Sequence, residues 1–228
     1  MEDPGQRTDT AWRRHIREAA TATSFEAGHQ IEIQLGHYCN NRCVFCVSGQ
    51  LTEQGLAQPI GLPPVVNALE DAASKGIKRV TFLGGEPTIQ DSFLPALTRA
   101  IELGFNDIVI FSNGARGKSR KFLDSVLALG DFTWRFSIQG GNAAAHDAVT
   151  TRKGSFAKIA AAMEYLHSRG QDITANMCVN TMSYESLPDY AELVPKYGIR
   201  QLHIDMIRPE NSGQRTDEYL RTIVPRHT

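Results

Sequence analysis

Three of the chain's four cysteines lie within eight positions of one another. They are Cys39, Cys43 and Cys46, which have the spacing C-x3-C-x2-C in the segment GHYCNNRCVFCVSGQ. Thiolates held this close together bind soft metals. With His37 they would form a closed tetrahedral zinc site. An iron–sulfur cluster normally takes four thiolates, so three would leave one iron of a four-iron cluster with open coordination. The spacing alone leaves both metal centres open.

Polar or glycine-rich segments also follow three further strand candidates. They are LGGEPT at 83–88, SNG at 112–114 and SIQGG at 137–141. The glycines would allow a close approach of the backbone to a ligand, and Pro87 biases Glu86 towards an extended backbone. Each segment alone is weak evidence. Because ligands of parallel α/β proteins bind at the carboxyl ends of strands, the four segments together predict one common site.

Strand and helix patterns alternate from residue 31 onward and would position these segments. Strands are predicted at 31–36, 79–84, 107–112, 132–140, 172–180 and 201–208. Helices are predicted at about 61–75, 91–103, 118–129, 155–169 and 186–197, several of them ending at glycine. A short helix is predicted before them at Thr10–Thr21. The alternation predicts right-handed crossovers and a parallel sheet in one α/β domain.

Several of these strands are polar on one face. The polar positions are Glu32, Gln34, Arg135, Ser137, Gln139, Asn176, Cys178, Asn180, His203 and Asp205. The opposite face, predicted to pack against helices, carries Ile31, Ile33, Leu35, Trp134, Phe136, Ile138, Leu202, Ile204 and Met206. A full eight-stranded barrel fills its interior with branched apolar side chains. A polar interior therefore predicts a curved, open sheet whose concave side holds a ligand. Internally paired polar residues or solvated edge positions are the alternative.

Composition places the chain among ordinary soluble proteins. It has 228 residues, of which 41% are hydrophobic and 21% charged, enough for one large domain. The net charge of -1 gives no reason to expect electrostatic capture of nucleic acid. The N-terminus has no apolar segment typical of a signal peptide, and no apolar run approaches the roughly 20 residues of a membrane helix. Clustered cysteines indicate metal binding in a reducing compartment, so we expect a cytoplasmic protein without a membrane partner.

The motifs together resemble the radical S-adenosylmethionine (SAM) superfamily. The resemblance rests on the cysteine spacing with Phe45 before the last cysteine, on GGEP after the second strand, and on SNG and SIQGG…HD…R…GSF. The last two are similar to the branch with anaerobic sulfatase-maturating enzymes, peptide-maturing enzymes with SPASM domains and the molybdenum-cofactor GTP-cyclising enzyme. The resemblance covers about residues 28 to 210. It implies a partial (β/α)6 barrel, similar to a TIM barrel, with helices outside the curved parallel sheet. Gln139 stands where that branch usually has Asp or a similar residue.

The resemblance implies a role for each matching residue. Cys39, Cys43 and Cys46 would hold a 4Fe-4S cluster. The expected SAM contacts are Phe45, Gly84, Gly85, Glu86, Asn113, Ser137, Gln139 and Arg152, those of the GGEP segment largely through backbone atoms. Asn180 matches a polar position facing the same cavity. The candidates for substrate contact are Asn176, Cys178, Asn180, His203 and Asp205. Of these, Cys178 is expected to be a buried thiol, with hydrogen donation as the alternative, and His203 with Asp205 would fix a polar substrate or form a satisfied pair.

The function implied is reductive cleavage of SAM to a 5′-deoxyadenosyl radical, which abstracts hydrogen from a peptide or small metabolite. A low-potential electron donor of the flavodoxin or ferredoxin type is the expected partner. Radical SAM modification of RNA is an alternative that the near-neutral charge disfavours, and a noncatalytic iron–sulfur or zinc protein is another.

The predicted divisions of the chain are an N-terminal helical extension at 1–30, the radical SAM core at 31–210 and a tail at 211–228. Because no cysteine follows Cys178, we expect either a single cluster or a chain truncated before an auxiliary-cluster domain.

Overall fold

The computed structural model describes residues 24–207 and 221–225 and contains one seven-stranded sheet in the order β1-β2-β3-β4-β5-β6-β7. The strands are β1 Ser24–Ala27, β2 Gln30–Gln34, β3 Arg79–Leu83, β4 Asp107–Ser112, β5 Thr133–Ser137, β6 Asp172–Val179 and β7 Ile199–Met206. Strands β2 to β7 are parallel, and β1 pairs antiparallel with β2. The six predicted strands and their parallel arrangement are therefore confirmed.

The helices lie in the connections between the parallel strands. They are α1 Val47–Glu53, α2 Leu62–Ser74, α3 Phe93–Glu102, α4 Arg120–Leu127, α5 Ala143–Thr150, α6 Ser155–Ser168 and α7 Leu187–Tyr197. Short 3-10 turns occupy Pro87–Ile89 and Tyr184–Ser186. The five helices predicted after residue 60 are all present. Helices α1 and α5 were not predicted, and each begins beside a segment of the predicted site.

A strand replaces the last part of the predicted helical extension, where the structure describes it. Ser24–Ala27 form β1, which returns into β2 through Gly28 at a φ of 63°. Glycine adopts this left-handed conformation without steric cost, which explains the tight turn. The helix predicted at Thr10–Thr21 lies outside the described residues. Of the predicted tail, the structure describes only 221–225.

The core lies between the sheet and its outer helices. Ile33 and Ile138 are fully buried there, as are the large side chains of Trp134 and Phe136. Burying a side chain of this size contributes about 1.5–3 kcal/mol. The apolar strand face is thus used as predicted in β2 and β5, and the polar face is left on the concave side. Within the described residues no helix is long and apolar enough to cross a membrane.

The prediction for the apolar face of β7 is wrong in the described structure. Leu202, Ile204 and Met206 were expected to pack against helices, but Ile204 is 54% and Met206 57% exposed. In a repeating strand–helix fold the helix that follows a strand helps to cover its outer face. The chain that follows β7, at 208–220, lies outside the described residues.

Candidate active site

A cavity of about 350 Å³ lies at the carboxyl ends of the parallel strands. It is lined by Cys39, Asn41, Cys43, Phe45, Cys46, Leu83, Gly84, Gly85, Glu86, Phe111, Asn113, Ser137, Gln139, Asn176, Cys178 and Asp205. The structure thus brings together the three clustered cysteines, every predicted SAM contact except Arg152, and three of the substrate candidates. Segments more than 160 residues apart in the chain meet here because their strands are parallel members of one sheet and end at the same edge.

The cysteine loop is fixed by backbone bonds to the end of α5. Arg42 N donates to Thr150 O and Val44 N to Val149 O, both at 3.0 Å. Cys46 then forms the N-cap of α1. These contacts fix the loop against α5. The three thiols therefore lie in a defined segment that lines the cavity, and not on an unattached loop.

Asn113, at the end of β4, reaches the cysteine loop from the opposite side of the cavity. Its Nδ2 lies 3.6 Å from Cys39 Sγ and donates to Asn40 Oδ1 at 2.8 Å. Asn41 N donates to the same Cys39 sulfur at 3.4 Å. The Cys39 sulfur therefore sits among hydrogen-bond donors, which stabilise negative charge on a thiolate.

The two glycines of GGEP pack against the cysteine loop. A Cβ on Gly85 would lie 2.4 Å from the carbonyl oxygens of His37 and Tyr38, and one on Gly84 would lie 2.6 Å from Gly36 O. Gly85 N also donates to Gly36 O at 2.7 Å. These glycines were predicted to allow close approach by a ligand. The structure shows that close approach by the cysteine loop already requires them, although both also face the cavity.

Glu86 is fully buried, and its carboxylate is occupied by protein donors. Oε1 accepts from Thr88 N at 3.1 Å, Thr88 Oγ1 at 2.6 Å and Ser112 Oγ at 2.8 Å, while Oε2 accepts from Asn113 N at 2.6 Å. Burial raises the pKa of this carboxyl group, and the hydrogen bonds oppose the rise. The carboxylate therefore ties the ends of β3 and β4 together, and backbone atoms are left to meet a ligand, as the resemblance implied.

Ser137 and Gln139 supply free hydrogen-bonding atoms after β5. The Ser137 hydroxyl lines the cavity and has no hydrogen-bond partner among the described residues. Gln139 Oε1 accepts from Cys178 N at 3.0 Å, which leaves Nε2 as a donor for a ligand. An ionised Asp, usual at this position in the branch that the chain resembles, would only accept hydrogen bonds. The glutamine therefore offers a donor that the usual residue lacks.

His146 supports this segment from within the core and was not among the predicted site residues. Its Nδ1 accepts from Gln139 N at 3.0 Å, and its ring meets Phe156 edge-on at 5.6 Å between centroids. The residue is fully buried, and burial lowers its pKa to about 4. It belongs to the HD pair within the motif that carried the resemblance, which is the signal that points to it.

The lowered pKa of His146 predicts a loss of stability in mild acid. The unfolded chain takes up a proton at His146 below its ordinary pKa of about 6.5, whereas the folded protein does not until about 4. The free energy of unfolding should therefore fall by up to about 3 kcal/mol as the pH drops from about 6.5 to 4. Denaturant unfolding across this range measures the slope. His146→Asn keeps an acceptor but does not titrate, so an undiminished slope in that variant would contradict the assignment.

The electrostatics of the cysteines favour a bound cationic group. Burial raises the pKa of Cys39 to about 12 and raises that of Cys43, and the neighbouring cysteines add to both shifts. Thiolates at these positions therefore need a metal centre to offset their charge.

The surroundings of the cysteines distinguish a zinc ion from a cluster. His37, the expected fourth zinc ligand, is hydrogen-bonded to Gln34 and, at 3.0 Å, to Ser48 Oγ. Within the described residues no three His, Cys, Asp or Glu side chains are grouped to hold one metal ion. The three thiolates therefore fit an iron–sulfur cluster better than a single zinc ion. Each thiolate of a cluster binds a different iron, so the sulfurs can be more widely spaced.

Three predicted site residues do not line the cavity. Arg152 is exposed in the turn after α5. Asn180 is fully buried in a turn, where Nδ2 donates to Cys178 O and Oδ1 accepts from Met182 N, both at 2.9 Å. His203 does not line the cavity, although it pairs in the strand register with Asn176, which does. Asp205, its expected partner, instead accepts from Asn176 Nδ2 at 2.5 Å. The predicted ligand contacts of Arg152 and Asn180 therefore have no support from this geometry.

Three cavity residues were missed by the sequence analysis. They are Asn41, Leu83 and Phe111. Asn41 lies inside the cysteine motif and is buried. Leu83 and Phe111 stand two positions before Gly85 and Asn113, and alternation along a strand places residues two apart on one face. That spacing could have identified both as an apolar part of the lining.

Comparison with known proteins agrees with this geometry. The family model described as the Radical SAM superfamily matches residues 33–194, which is most of the chain. The chain belongs to the radical SAM superfamily. Among curated relatives, it is 26% identical over 175 residues to PqqA peptide cyclase of Ruegeria pomeroyi, covering 77% of this chain and 46% of the relative. It is 28% identical over 168 residues to GTP 3',8-cyclase of Synechococcus elongatus, covering 72% and 50%.

Solved structures confirm the partial-barrel fold of the superfamily. Streptococcus suis SuiB bound to S-adenosylmethionine matches with a TM-score of 0.67 and 18% identity, over 91% of this chain and 47% of that one. SuiB has also been solved bound to its precursor peptide SuiA. The chain spans about half the length of the curated relatives it matches. Radical SAM proteins use a 4Fe-4S cluster and SAM, and the cavity carries the three thiolates and the polar lining that this pair requires.

Proposed function

We propose that this chain forms the catalytic core of a radical SAM enzyme acting on a peptide. The observation that carries the proposal is the single cavity shared by Cys39, Cys43 and Cys46 with the ends of three further strands. When bound there, a reduced 4Fe-4S cluster and SAM supply a 5′-deoxyadenosyl radical that abstracts hydrogen from the substrate. The electron would come from a low-potential donor of the flavodoxin or ferredoxin type.

The chain's own residues would bind SAM and restrict water. The Ser137 hydroxyl and Gln139 Nε2 are donors suited to the carboxylate or ribose of SAM. Leu83 and Phe111 supply an apolar part of the lining. Asn113 would hold Cys39 in place while its backbone N–H holds Glu86. Such a site orients a reactive group and limits competing reactions with water, which is the protein's part in cofactor chemistry.

A peptide is favoured as substrate because of the names of the similar proteins. PqqA peptide cyclase and SuiB bound to its precursor peptide are both similar to this chain, and both are associated with peptides. A small metabolite is the second candidate, which the similarity to GTP 3',8-cyclase supports. The cytoplasmic location stays a prediction.

Deuterium transfer would test hydrogen abstraction. With a peptide substrate deuterated at the reacting carbon, the reduced, anaerobic protein should form 5′-deoxyadenosine that carries deuterium, detected by mass spectrometry. Candidate peptides are best taken from short reading frames beside the gene. The contrary result is that no candidate peptide changes the rate of deoxyadenosine formation and that the product carries no deuterium. It would argue against a peptide and favour the small-metabolite alternative.

Removing the Ser137 hydroxyl should weaken SAM binding without loss of iron. Within residues 24–207 and 221–225 the Ser137 hydroxyl has no hydrogen-bond partner, and it is not a cluster ligand, so Ser137→Ala should cost the site one hydrogen bond and little else. A bond to a charged group contributes about 1.5–3 kcal/mol, or roughly tenfold to a hundredfold in affinity. Calorimetric titration of SAM into anaerobic protein measures the change. Ser168→Ala on the exposed end of α6 is the matched control; equal SAM affinity in both variants would remove Ser137 from the site.

A further inference from the structure

Three polar side chains that border the cavity from below and from the side have buried atoms without a hydrogen-bond partner in the described part of the chain. The atoms are Arg135 Nε, Thr174 Oγ1 and His203 Nε2. They belong to the adjacent strands β5, β6 and β7 and share the concave face with Ser137 and Asn176. Buried polar atoms are nearly always paired, so three orphaned atoms on neighbouring strands indicate a missing ligand or ordered water.

Arg135 and Thr174 lie one layer below the cavity lining, and His203 lies level with it in the strand register. Arg135 precedes Ser137 by two residues, so its Cα is about 7 Å deeper along the sheet. Thr174 pairs with Arg135 in the strand register, and His203 pairs with Asn176. The Arg135 Cζ lies 5.7 Å from the ring centroid of Phe111, which lines the cavity above. A substrate that extends downward from the SAM site would therefore reach this cluster.

Arg135 is a half-buried cation with no contacting counter-ion among the described residues. Glu32 and Asp205 act on it only at longer range, and burial, followed by the charge of Arg79, lowers its pKa. Thr174 is 1% exposed, so its unpaired hydroxyl has no access to bulk water. Burying a charge without a partner is costly, and an anionic ligand would offset that cost while pairing the other atoms.

We propose that Arg135, Thr174 and His203 bind a carboxylate group of the substrate. This inference rests on the proposed function, since it places the substrate below SAM, against side chains that border the cavity. A guanidinium matches a carboxylate with two parallel hydrogen bonds, and the Thr174 hydroxyl and the N–H of a neutral His203 that carries its proton on Nε2 add donors. Burial and the charge of Arg135 lower the pKa of His203, which favours the neutral ring. The nearby carboxylates of Glu32 and Asp205 disfavour a doubly charged phosphate. In a peptide, the carboxylate would belong to an acidic side chain or to the C-terminus.

The test compares small probes with and without the carboxylate. The anaerobic protein, loaded with iron and SAM, is titrated with N-acetylglutamate α-amide, with N-acetylalanine and with neutral N-acetylglutamine amide, and binding is followed by ligand-observed NMR. The first probe represents an acidic side chain and the second a C-terminus. We expect one carboxylate probe to bind at least tenfold more tightly than the neutral amide. Arg135→Gln should abolish the difference, and Arg135→Lys should retain part of it.

Controls separate this proposal from the proposed function. Arg200→Gln, which removes a surface arginine paired with Asp172, should bind the probes as the unaltered protein does. Thr174→Val should weaken the preferred probe severalfold, and it gives a second reading if Arg135→Gln folds poorly. Equal binding of all three probes would assign the orphaned atoms to water, and a loss of SAM affinity in Arg135→Gln would assign Arg135 to SAM; either overturns the proposal. The binding assay needs no turnover, so a protein that fails to cleave SAM can still give the result.

Discussion

Replacing Cys43 by alanine is expected to abolish both iron binding and SAM cleavage. Cys43 lies between Cys39 and Cys46 in a loop pinned to α5, and all three thiols face one cavity. With two thiolates left, a four-iron cluster would have two unsupported irons, so iron should fall from about four per chain to near zero. Deoxyadenosine formation should fall below detection in the same preparation. Iron analysis, visible absorption and chromatography measure these changes.

Cys178→Ala is the matched control for that experiment. Cys178 lines the same cavity but stands on β6, outside the cysteine loop. The Cys178→Ala protein should therefore keep its full iron content. Stoichiometric zinc in place of iron after anaerobic preparation would contradict the cluster assignment, and so would equal iron loss from Cys178→Ala and Cys43→Ala.

Replacing Glu86 by alanine is expected to cause the second largest effect, a loss of stability. The carboxylate is fully buried and accepts four hydrogen bonds that join the GGEP turn to the end of β4. Its removal would leave the N–H groups of Thr88 and Asn113 buried without partners. Disrupting a buried charged network costs about 3–5 kcal/mol. For a chain of this size that is roughly a 6–20 °C fall in melting temperature, measurable by calorimetry.

Glu102→Ala gives the comparison for Glu86. Glu102 is an exposed carboxylate on α3 that pairs with Arg99, and exposed pairs contribute about 1 kcal/mol or less. The Glu102→Ala substitution should lower the melting temperature by at most a few degrees. A Glu86→Ala protein as stable as Glu102→Ala would show that the carboxylate is not the tie between the two strand ends.

Much of this architecture could be predicted because it depends on local pattern and on topology. Alternating polarity identified the strands, and glycine marked several helix ends. Parallel pairing then required that segments following neighbouring strands meet at one edge, which placed the cysteine loop beside GGEP, SNG and SIQ. Neither step needs knowledge of a side-chain contact.

The features that escaped prediction depend on contacts between distant residues. Helix α5 is short, and its sequence AAAHDAVT has no clear apolar stripe to distinguish it from a loop. The full use of the Glu86 carboxylate depends on Ser112 and Asn113, which lie more than 20 positions away. Arg152 matched a motif by position, but the turn after α5 leaves it exposed. Sequence spacing cannot show where such a side chain ends.

The most direct test of the central claim is deoxyadenosine formation by the reduced, iron-loaded protein. Protein is reconstituted and reduced without oxygen, supplied with SAM, and assayed for iron and 5′-deoxyadenosine in the same sample. The account predicts about four irons per chain and slow cleavage of SAM even without substrate, absent from Cys43→Ala. An intact, reduced cluster that never yields deoxyadenosine, with candidate peptides and metabolites present, would contradict the catalytic assignment and support an electron-transfer or structural role for the cluster.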